Sequence, residues 1–561
     1  MRKKFSKLYL SYCICSLSIL ISCNNNKLPS QESIDAIKLK RGAVVLCSPP
    51  GKQFGTVNFE SSCSPKVKED FNLAVALLHS FEYDEAEKVF AKIIDAEPGC
   101  AMAYWGVAMC NYHPLWSPPI VPELEKGAKA IAIAQSIGGK TKKETGYIDA
   151  IASFYKDWSS TDHHNRAVNF ERGMAKTHAE FPDDKEVSIF YALALDAAAD
   201  PADRSFANQK KAGAILTALY PGEPDHPGIV HYIIHSYDYP QLAELALPAA
   251  RKYASIAPAS AHAQHMPSHI FTRLGLWDEC IHSNIVATTA AKCYAENAGL
   301  KGHWDEELHG LDYLMYAYLQ KGEIDSANIE YDYLKSITAV SPINFKVAYA
   351  FAAMPARYFL ETRDWDGAAR LQTDLAGLDW QKYPWQKAIV HFARALGNVH
   401  TGHLDIAKDE LKKMSIIYDT LVKQRDAYKA KEVEIQMKTV EAWVFLKEGN
   451  NSAALKLMMF AADMEDQTEK HPVTPGEVLP ARELLADMLM EMNKPAEALA
   501  TYEADLETHR NRFNGLYGAA IAAEKSHDIK KAISYYQQLL TVAPNSTRKE
   551  MQTTKAFIKK H

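Results

Sequence analysis

The chain has 561 residues, of which 47% are hydrophobic and 24% are charged, and its formal net charge is −6. A chain of this length and composition can bury a large core. Its mild acidity provides no basic surface of the kind that binds nucleic acid, which argues against that function class.

The first residues, MRKKFSKLYLSYCICSLSILISC, predict an export signal over residues 1–22. A basic stretch precedes a short apolar stretch that starts near Leu8, and polar NNNK follows. The apolar stretch is too short to span a bilayer, so a cleaved signal is favoured over a transmembrane helix.

The last four residues of this stretch, LISC, resemble the lipobox of bacterial lipoproteins. The resemblance implies that Cys23 is lipidated and becomes the mature N-terminus, with an ordinary secretory signal as the alternative. Asn24 differs from the Asp that retains such proteins in the inner membrane. We therefore expect a lipid anchor in the bacterial cell envelope, at the outer membrane, with the periplasmic and the exterior face both open.

Export implies an oxidising compartment, where disulfides persist. Cys47 and Cys63 flank the stretch SPPGKQFGTVNFESS, which has little core of its own. A Cys47–Cys63 disulfide is the prediction here, and two free thiols are the alternative. No cysteine spacing typical of a structural zinc site occurs.

Beyond residue 66, apolar residues recur at helical spacing between turn-forming breaks, and strand-like alternation is sparse, so the fold class is all-α. One period of 34 residues is clearest near the end of the chain, where Ala486, Ala498 and Tyr502 recur as Ala520, Ala532 and Tyr536. This period and residue set resemble the tetratricopeptide repeat (TPR), as do Ala74, Ala86, Phe90 and Pro98. The resemblance implies a right-handed solenoid of helix-turn-helix units.

The repeat frame divides the chain into five segments. These are the signal peptide at 1–22, a tether and Cys-bearing loop at 23–66, an N-terminal TPR array at 67–345, a C-terminal array at 346–545 and a capping helix at 546–561. Intermediate repeats are placed by residues near their turns: Gly275 with Cys280, Gly322 with Ala327, Trp365 with Ala368, Gly402 with Ala407, and Gly449 with Ala454.

Two HxxxH motifs stand in register with this period. His231 and His235 are followed 34 residues later by His265 and His269. Imidazoles four residues apart share a helix face, and a packed neighbouring helix can add ligands. The motifs therefore predict a site for a transition metal such as Zn, Cu, Fe or Ni. Three or fewer protein ligands would leave a position for an activated water.

The TPR resemblance implies that these four histidines line the concave groove of the solenoid, where TPR proteins bind ligands. Further residues fall at groove positions in the same frame: His79, His113, Asp238, His262, Arg273, His309, Asp312 and Tyr316. Asp238 or Asp312 would be a further metal ligand or an acceptor that orients an imidazole. A groove that binds an anionic ligand without metal, and purely structural histidines, are the alternatives.

A second candidate lies in HPVTPGEVLPARELLADML, residues 471–489. Glu483 and Asp487 share a helix face and would meet the histidine face if the superhelix closes one turn, whereas a solvated helix face is the alternative.

The region around Trp116 interrupts a repeat, either as a loop over the groove or as an insertion.

Several segments, among them SCSP, HYIIHSYDYP and HAQHMPSHIFTRLGLWDE, are similar to a group of bacterial exported TPR proteins to which no activity is attached. Three functions follow as hypotheses. The first is a lipid-anchored binding scaffold that holds an envelope protein, a peptide or a small ligand in its groove, either directly or through a transition metal. The second is a metal-dependent enzyme, and the third is a plain assembly scaffold. No motif for nucleotide binding or serine hydrolysis occurs.

Overall fold

A computed structural model describes Met1, residues 28–47 and residues 53–561. The predicted signal peptide and the predicted lipidation site Cys23 lie outside the described residues. Within the described part, none of the helices combines the length and the apolar character needed to cross a bilayer.

Nearly all regular secondary structure in the described chain is helical, and the fold is all-α as predicted. The helices of the first half are α1 (Gln31–Asp35), α2 (Lys68–His79), α3 (Tyr83–Ala96), α4 (Ala101–Cys110), α5 (Val121–Ser136), α6 (Lys142–Tyr155), α7 (His163–Glu180), α8 (Lys185–Ala197), α9 (Ala207–Leu219), α10 (Pro227–Ser236), α11 (Ala243–Ile256), α12 (Ala261–His265), α13 (Pro267–Leu274), α14 (Trp277–Asn297), α15 (Asp305–Gln320) and α16 (Ile324–Ser336).

The second half continues the same pattern. Its helices are α17 (Phe345–Glu361), α18 (Trp365–Ala369), α19 (Pro384–His400), α20 (Leu404–Lys423), α21 (Ala427–Lys447), α22 (Asn451–Asp466), α23 (Ala481–Glu491), α24 (Pro495–Thr508), α25 (Phe513–Lys525), α26 (Ile529–Val542) and α27 (Glu550–Lys560). The described residues also contain three short 3-10 turns, at Pro65–Val67, Tyr220–Gly222 and Trp380–Lys382. One two-residue parallel pair joins β1 (His303–Trp304) to β2 (Val340–Ser341).

Successive helices pack as hairpins, which makes the fold a TPR-type solenoid. The small residues of the predicted repeats let paired helices approach closely. Ala74, Ala86, Ala520 and Ala532 are all fully buried, and so are the small residues that follow the predicted turns, Cys280, Ala327, Ala368, Ala407 and Ala454. At the turns, Gly275, Gly322, Gly402 and Gly449 have φ between +62° and +84°, a conformation that favours glycine. The small residues of the 34-residue frame near the two ends of the array, and those placed at wider intervals between them, therefore lie at real helix contacts.

The segment at residues 467–480, between α22 and α23, runs inside the superhelix against the first half. Lys470 Nζ lies 3.1 Å from Asp238 Oδ2, and Tyr313 donates its hydroxyl proton to Thr474 O at 2.9 Å. A second contact between the halves lies at Trp277, whose Nε1 donates to Asn511 O at 2.8 Å. The concave face behind the HxxxH motifs is therefore filled by protein, and it is not the open groove that the TPR resemblance implied.

The described N-terminal segment also packs on the array, although a tether was expected there. The side chains of Phe54 and Phe59 are buried, and the backbone N–H of Val45 donates to Glu85 Oε2 at 2.9 Å. The predicted Cys47–Cys63 disulfide is wrong. Cys47 instead pairs with Cys293, and Cys63 pairs with Cys100. The reason is that residues 28–47 run along α3, which takes Cys47 to α14 and away from Cys63.

Candidate metal centre

The two HxxxH motifs form two neighbouring clusters, each completed by a histidine from another helix. Triad A consists of His231 and His235 on α10 and His262 on α12, whereas triad B consists of His265 on α12, His269 on α13 and His309 on α15. The ligand atoms of each triad lie within 4.8 Å of one another. The four HxxxH histidines, which were expected to share one site, are thus divided between two three-histidine clusters.

In triad B, two imidazole nitrogens face each other without a proton between them. Asn284 donates its amide N–H to Cys280 O at 2.8 Å, so its Oδ1 faces His265 and accepts from His265 Nδ1 at 2.7 Å. His269 Nδ1 donates to Asp238 Oδ2 at 3.1 Å. A neutral imidazole has one N–H, so both Nε2 atoms carry lone pairs, and these atoms are 3.1 Å apart. A cation beside both nitrogens would remove that repulsion.

Triad A has a similar conflict. His231 Nδ1 lies 2.6 Å from the backbone O of His79, which only accepts, so His231 Nε2 carries a lone pair. This nitrogen lies 3.0 Å from His235 Nε2 and 3.1 Å from His262 Nε2. The single lone pair of His231 Nε2 can accept a hydrogen bond from His235 Nε2 or from His262 Nε2, but not from both. A bound metal would accept the lone pairs of all three Nε2 atoms.

These distances suit a metal. Two nitrogens bound to zinc at about 2.0 to 2.1 Å in a tetrahedron lie roughly 3.3 Å apart. The Nδ1 partners suit a metal as well, because ligating histidines in metalloproteins donate their other N–H to a carbonyl or carboxylate that fixes ring orientation. His231, His265 and His269 each have such a partner.

Both triads are held in the neutral form. Burial, followed by repulsion from His269, holds the pKa of His265 well below its usual value. Burial and repulsion from His262 do the same for the pKa of His231. Burial also lowers the pKa of His269, in spite of its contact with Asp238. Protonation therefore does not remove the repulsion between the facing nitrogen lone pairs near neutral pH. Neutral imidazole is also the form of histidine that binds metal.

Asp238 is the charged support of triad B. Besides His269, its carboxylate accepts from Arg273 Nε at 2.9 Å and from Lys470 Nζ at 3.1 Å. Burial opposes the charged form, but Lys470 and Arg273 hold the pKa of Asp238 far below its usual range. Asp238 thus orients an imidazole, one of the two roles predicted for it, and predicted groove residue Arg273 acts through this carboxylate.

Aromatic rings enclose both triads. The Phe81 ring packs edge-on against the His231 ring, and their centroids are 4.4 Å apart. The centroids of the Trp116 and His235 rings are 5.3 Å apart. Phe81 has φ +58°, which is rare for a bulky residue and places local strain at the site. The region around Trp116 was predicted to be either a loop over the groove or an insertion, and the structure shows a loop that covers the histidines. In triad B, Tyr313 packs 4.6 Å from His265.

A third cluster lies behind triad A and was not predicted as a unit. Glu186 accepts from His79 Nε2 and from His226 Nε2, both at 3.0 Å. Because a carboxylate already binds both N–H groups, this cluster is a hydrogen-bonded support. Its link to triad A is the backbone O of His79, which accepts from His231. His226 and Glu186 have no partner at 34-residue spacing, so the repeat gave no signal for them.

The remaining predicted groove residues lie elsewhere and are largely engaged with other side chains. Asp312 binds Arg357, and Tyr316 accepts from Arg512 Nη1 at 2.9 Å. The Nε2 atom of His113 lies 3.4 Å from Oε1 of Glu123.

Glu483 and Asp487 bind arginines. Glu483 pairs with Arg512 and Arg363, and Asp487 pairs with Arg363. Glu483 is fully buried and Asp487 is partly exposed. Both carboxylates bind arginines, so this face does not meet the histidine triads.

Fold and site together define the class: a TPR-type helical solenoid with two buried histidine triads that could hold metal ions. No family model and no curated protein matches the chain.

Solved structures with similar helical arrangements include yeast Tom70, at 12% identity over 88% of this chain and 95% of that chain, with a TM-score of 0.32. A human IFIT1 dimer with PPP-AAAA is 13% identical over 84% of this chain and 89% of that chain, with a TM-score of 0.34. The APC/C hetero-tetramer Cut9-Hcn1 is 11% identical over 89% of this chain and 96% of that chain, with a TM-score of 0.28. No functional conclusion follows from similarities at this level.

Proposed function

We propose that the protein is a transition-metal-binding TPR protein of the bacterial envelope, anchored by lipid at Cys23, that holds one metal ion in each histidine triad. The proposal unites the lipobox-like LISC sequence with the two buried triads. It also replaces the open ligand groove of the sequence-based hypothesis by a closed metal centre.

One observation carries the metal assignment. His265 Nε2 and His269 Nε2 lie 3.1 Å apart, and both Nδ1 atoms are committed as donors. A buried arrangement of facing lone pairs is costly unless a cation is bound. The ligand set consists of imidazoles, which favours zinc, copper, nickel or iron over calcium or magnesium.

Metal exchange would take place at triad A. His235 is partly exposed, whereas the three histidines of triad B are buried. The Trp116 ring covers His235 and His262 from the outside. A partner protein of the envelope that donates or accepts the metal would therefore approach on the Trp116 side.

The test is the metal content of untagged protein, loaded with excess zinc or copper and then desalted. We expect two equivalents in the wild type, one in His235→Ala, one in His309→Ala and none in the double variant. His391→Ala is the matched control, because His391 is a buried histidine that binds Glu410 away from both triads. Wild-type protein without bound metal would refute the proposal and leave the plain scaffold.

A metal-dependent enzyme is the second candidate function. Three protein ligands per triad leave a coordination position for water, as catalytic zinc sites do. Loaded wild-type protein that hydrolyses a member of an ester and phosphoester panel, with activity lost in His235→Ala or His309→Ala, would support it. Loaded protein inactive on the whole panel would favour the binding function.

A further inference from the structure

The shape of the two histidine triads indicates which metal they hold, given the proposed metal-binding function on which this inference rests. In triad A the centroids of the imidazole rings are 4.7, 5.0 and 6.4 Å apart. One point in the plane of these centroids is about 3.2 Å from all three. A metal bound at about 2.0 to 2.1 Å from Nε2 is also about 3.2 Å from the centroid of that imidazole ring. An ion that binds all three Nε2 atoms therefore lies in the plane of the ring centroids.

Triad B has the same shape. Its ring centroids are 4.1, 5.1 and 6.1 Å apart, and the point in their plane that is equidistant from them is about 3.1 Å from each. Three ligands that meet an ion in one plane give trigonal coordination. Zinc in proteins is nearly always tetrahedral and takes a fourth ligand, so three nitrogens in one plane suit zinc poorly.

An aromatic ring covers one side of each ligand plane. The Phe81 centroid is 4.4, 5.7 and 5.8 Å from the three imidazole centroids of triad A. The Tyr313 centroid is 4.6, 5.0 and 5.5 Å from those of triad B. A water bound to the ion on the covered side would come within about 3 Å of the ring centre, which is closer than the van der Waals separation of about 3.5 Å. The ring therefore excludes a fourth ligand from that side.

The charge of the surroundings favours an ion of low charge. Imidazoles are neutral ligands, so they do not reduce the charge of a bound ion. Among the described residues, Asp238 is the one carboxylate that bonds to a triad histidine, and Arg273 and Lys470 already neutralise it. The cost of burying an ion grows with the square of its charge, so a divalent ion costs about four times as much as a monovalent ion of similar size.

We propose that both triads bind copper(I). Zinc, copper, nickel and iron are the metals that imidazole ligands favour, and of these copper alone has a stable monovalent ion. Copper(I) also accepts three ligands in one plane. Binding involves no electron transfer, because the metal enters and leaves as copper(I).

Metal competition under anaerobic conditions tests the proposal on the full chain after treatment with a chelator. The variant His309→Ala lacks a ligand of triad B, so it reports on triad A alone. Copper(I), supplied as its acetonitrile complex, and zinc are offered in equal amounts. We expect one equivalent of bound copper and no zinc. X-ray absorption should show three nitrogen ligands at about 2.0 Å from copper and no fourth ligand.

Phe81→Gly in the His309→Ala background removes the ring that covers triad A. Because Phe81 has φ +58°, glycine also suits the backbone at this position. Water can then reach the ion, so the affinity for zinc should rise about tenfold relative to the affinity for copper(I). Phe206→Gly is the matched control, because Phe206 has φ +54° and packs on Tyr239 away from the triads. It should leave both affinities unchanged.

Protein that takes up zinc in preference to copper(I), or that binds copper(I) with four ligands, would overturn the copper(I) assignment and leave the proposed metal binding in place. The same change of zinc affinity in Phe81→Gly and Phe206→Gly would overturn the assignment as well, because the covering ring would then play no part in metal selection. Protein that binds neither metal would refute the metal-binding function and the copper(I) assignment together.

Discussion

At the scale of single residues, the structure separates histidines that face a common point from the groups that orient them. Asp238 orients His269 and also neutralises Arg273 and Lys470. The sequence predicted Asp238 at a groove position, but its three partners come from separate parts of the chain. A repeat period fixes where a residue lies along a helix, and it does not fix which neighbours its side chain reaches.

Asp238→Asn should weaken metal binding at triad B by about 10- to 100-fold, because the orienting carboxylate loses its charge. It should also lower the free energy of unfolding by about 3 kcal/mol, since two buried cations lose their partner. Competition with a chromogenic chelator and urea unfolding measure the two effects.

Asp312→Asn is the control for this change. Asp312 is an equally buried carboxylate that binds Arg357, and it contacts neither triad. It should lower stability and leave metal affinity unchanged. Equal losses of metal affinity in the two variants would contradict the orienting role of Asp238.

His509 predicts a pH dependence of stability. Burial opposes its charged form, but the carboxylates of Asp505 and Glu477 raise the pKa of His509 well above 6.5. The folded state thus holds this proton more tightly than the unfolded state, so the stabilisation is complete below about pH 6.5 and is lost as the pH rises through the folded-state pKa. Urea unfolding should show His509→Gln less stable than wild type at pH 6 and closer to it at pH 9. A constant difference would contradict this assignment.

At the scale of helices, the sequence predicted the all-α class, and the period of 34 residues predicted the helix contacts where the repeat is regular. Ala74, Ala86, Ala520 and Ala532 are buried at the helix contacts that it placed. The division of the histidines into two triads could not be predicted, because His262 and His265 are three residues apart on α12 and yet belong to different clusters. The segment at residues 467–480 carries no periodic signal, so its place inside the superhelix could not be predicted either.

A substitution at Gly228 on α10 tests whether α10 must lie close to His79 beside triad A. A Cβ at this position would lie 2.6 Å from His79 Nδ1, and Tyr232 and Glu186 hold that imidazole in place. Gly228→Ala should therefore lower the free energy of unfolding by about 1 to 3 kcal/mol. It should also weaken metal binding at triad A, whose His231 bonds to the His79 backbone.

The matched substitution is Gly222→Ala, because a Cβ at Gly222 has no neighbour within 4 Å. Thermal unfolding and metal titration of both variants make the comparison. Equal stability of the two variants would show that His79 has room to move.

At the scale of the whole molecule, two disulfides fasten the described N-terminal segment to the array. Cys47–Cys293 joins residues 246 positions apart, and Cys63–Cys100 joins residues 37 positions apart. The sequence analysis predicted a Cys47–Cys63 disulfide, and this prediction is wrong because the partners depend on where residues 28–47 run.

The double variant Cys63→Ala/Cys100→Ala should lose about 4 kcal/mol of stability, from the loop that this disulfide closes. Denaturant unfolding measures the loss, and peptide mapping after thiol blocking should identify the Cys47–Cys293 bond as intact. A mapped Cys47–Cys63 bond in the wild type would contradict the structure. Cys110 and Cys280 are free and buried, so they serve as internal references for unreacted thiol.

The contact between Lys470 and Asp238 also sets an order of events during biogenesis. The two residues are 232 positions apart, so the N-terminal helices emerge with Asp238 and His269 long before Lys470 is made. The support of triad B is complete only when residues 467–480 have inserted into the superhelix. A chain that ends before this segment would present histidines without their mature electrostatic environment. If triad B holds a metal as proposed, its loading would follow folding of the C-terminal half.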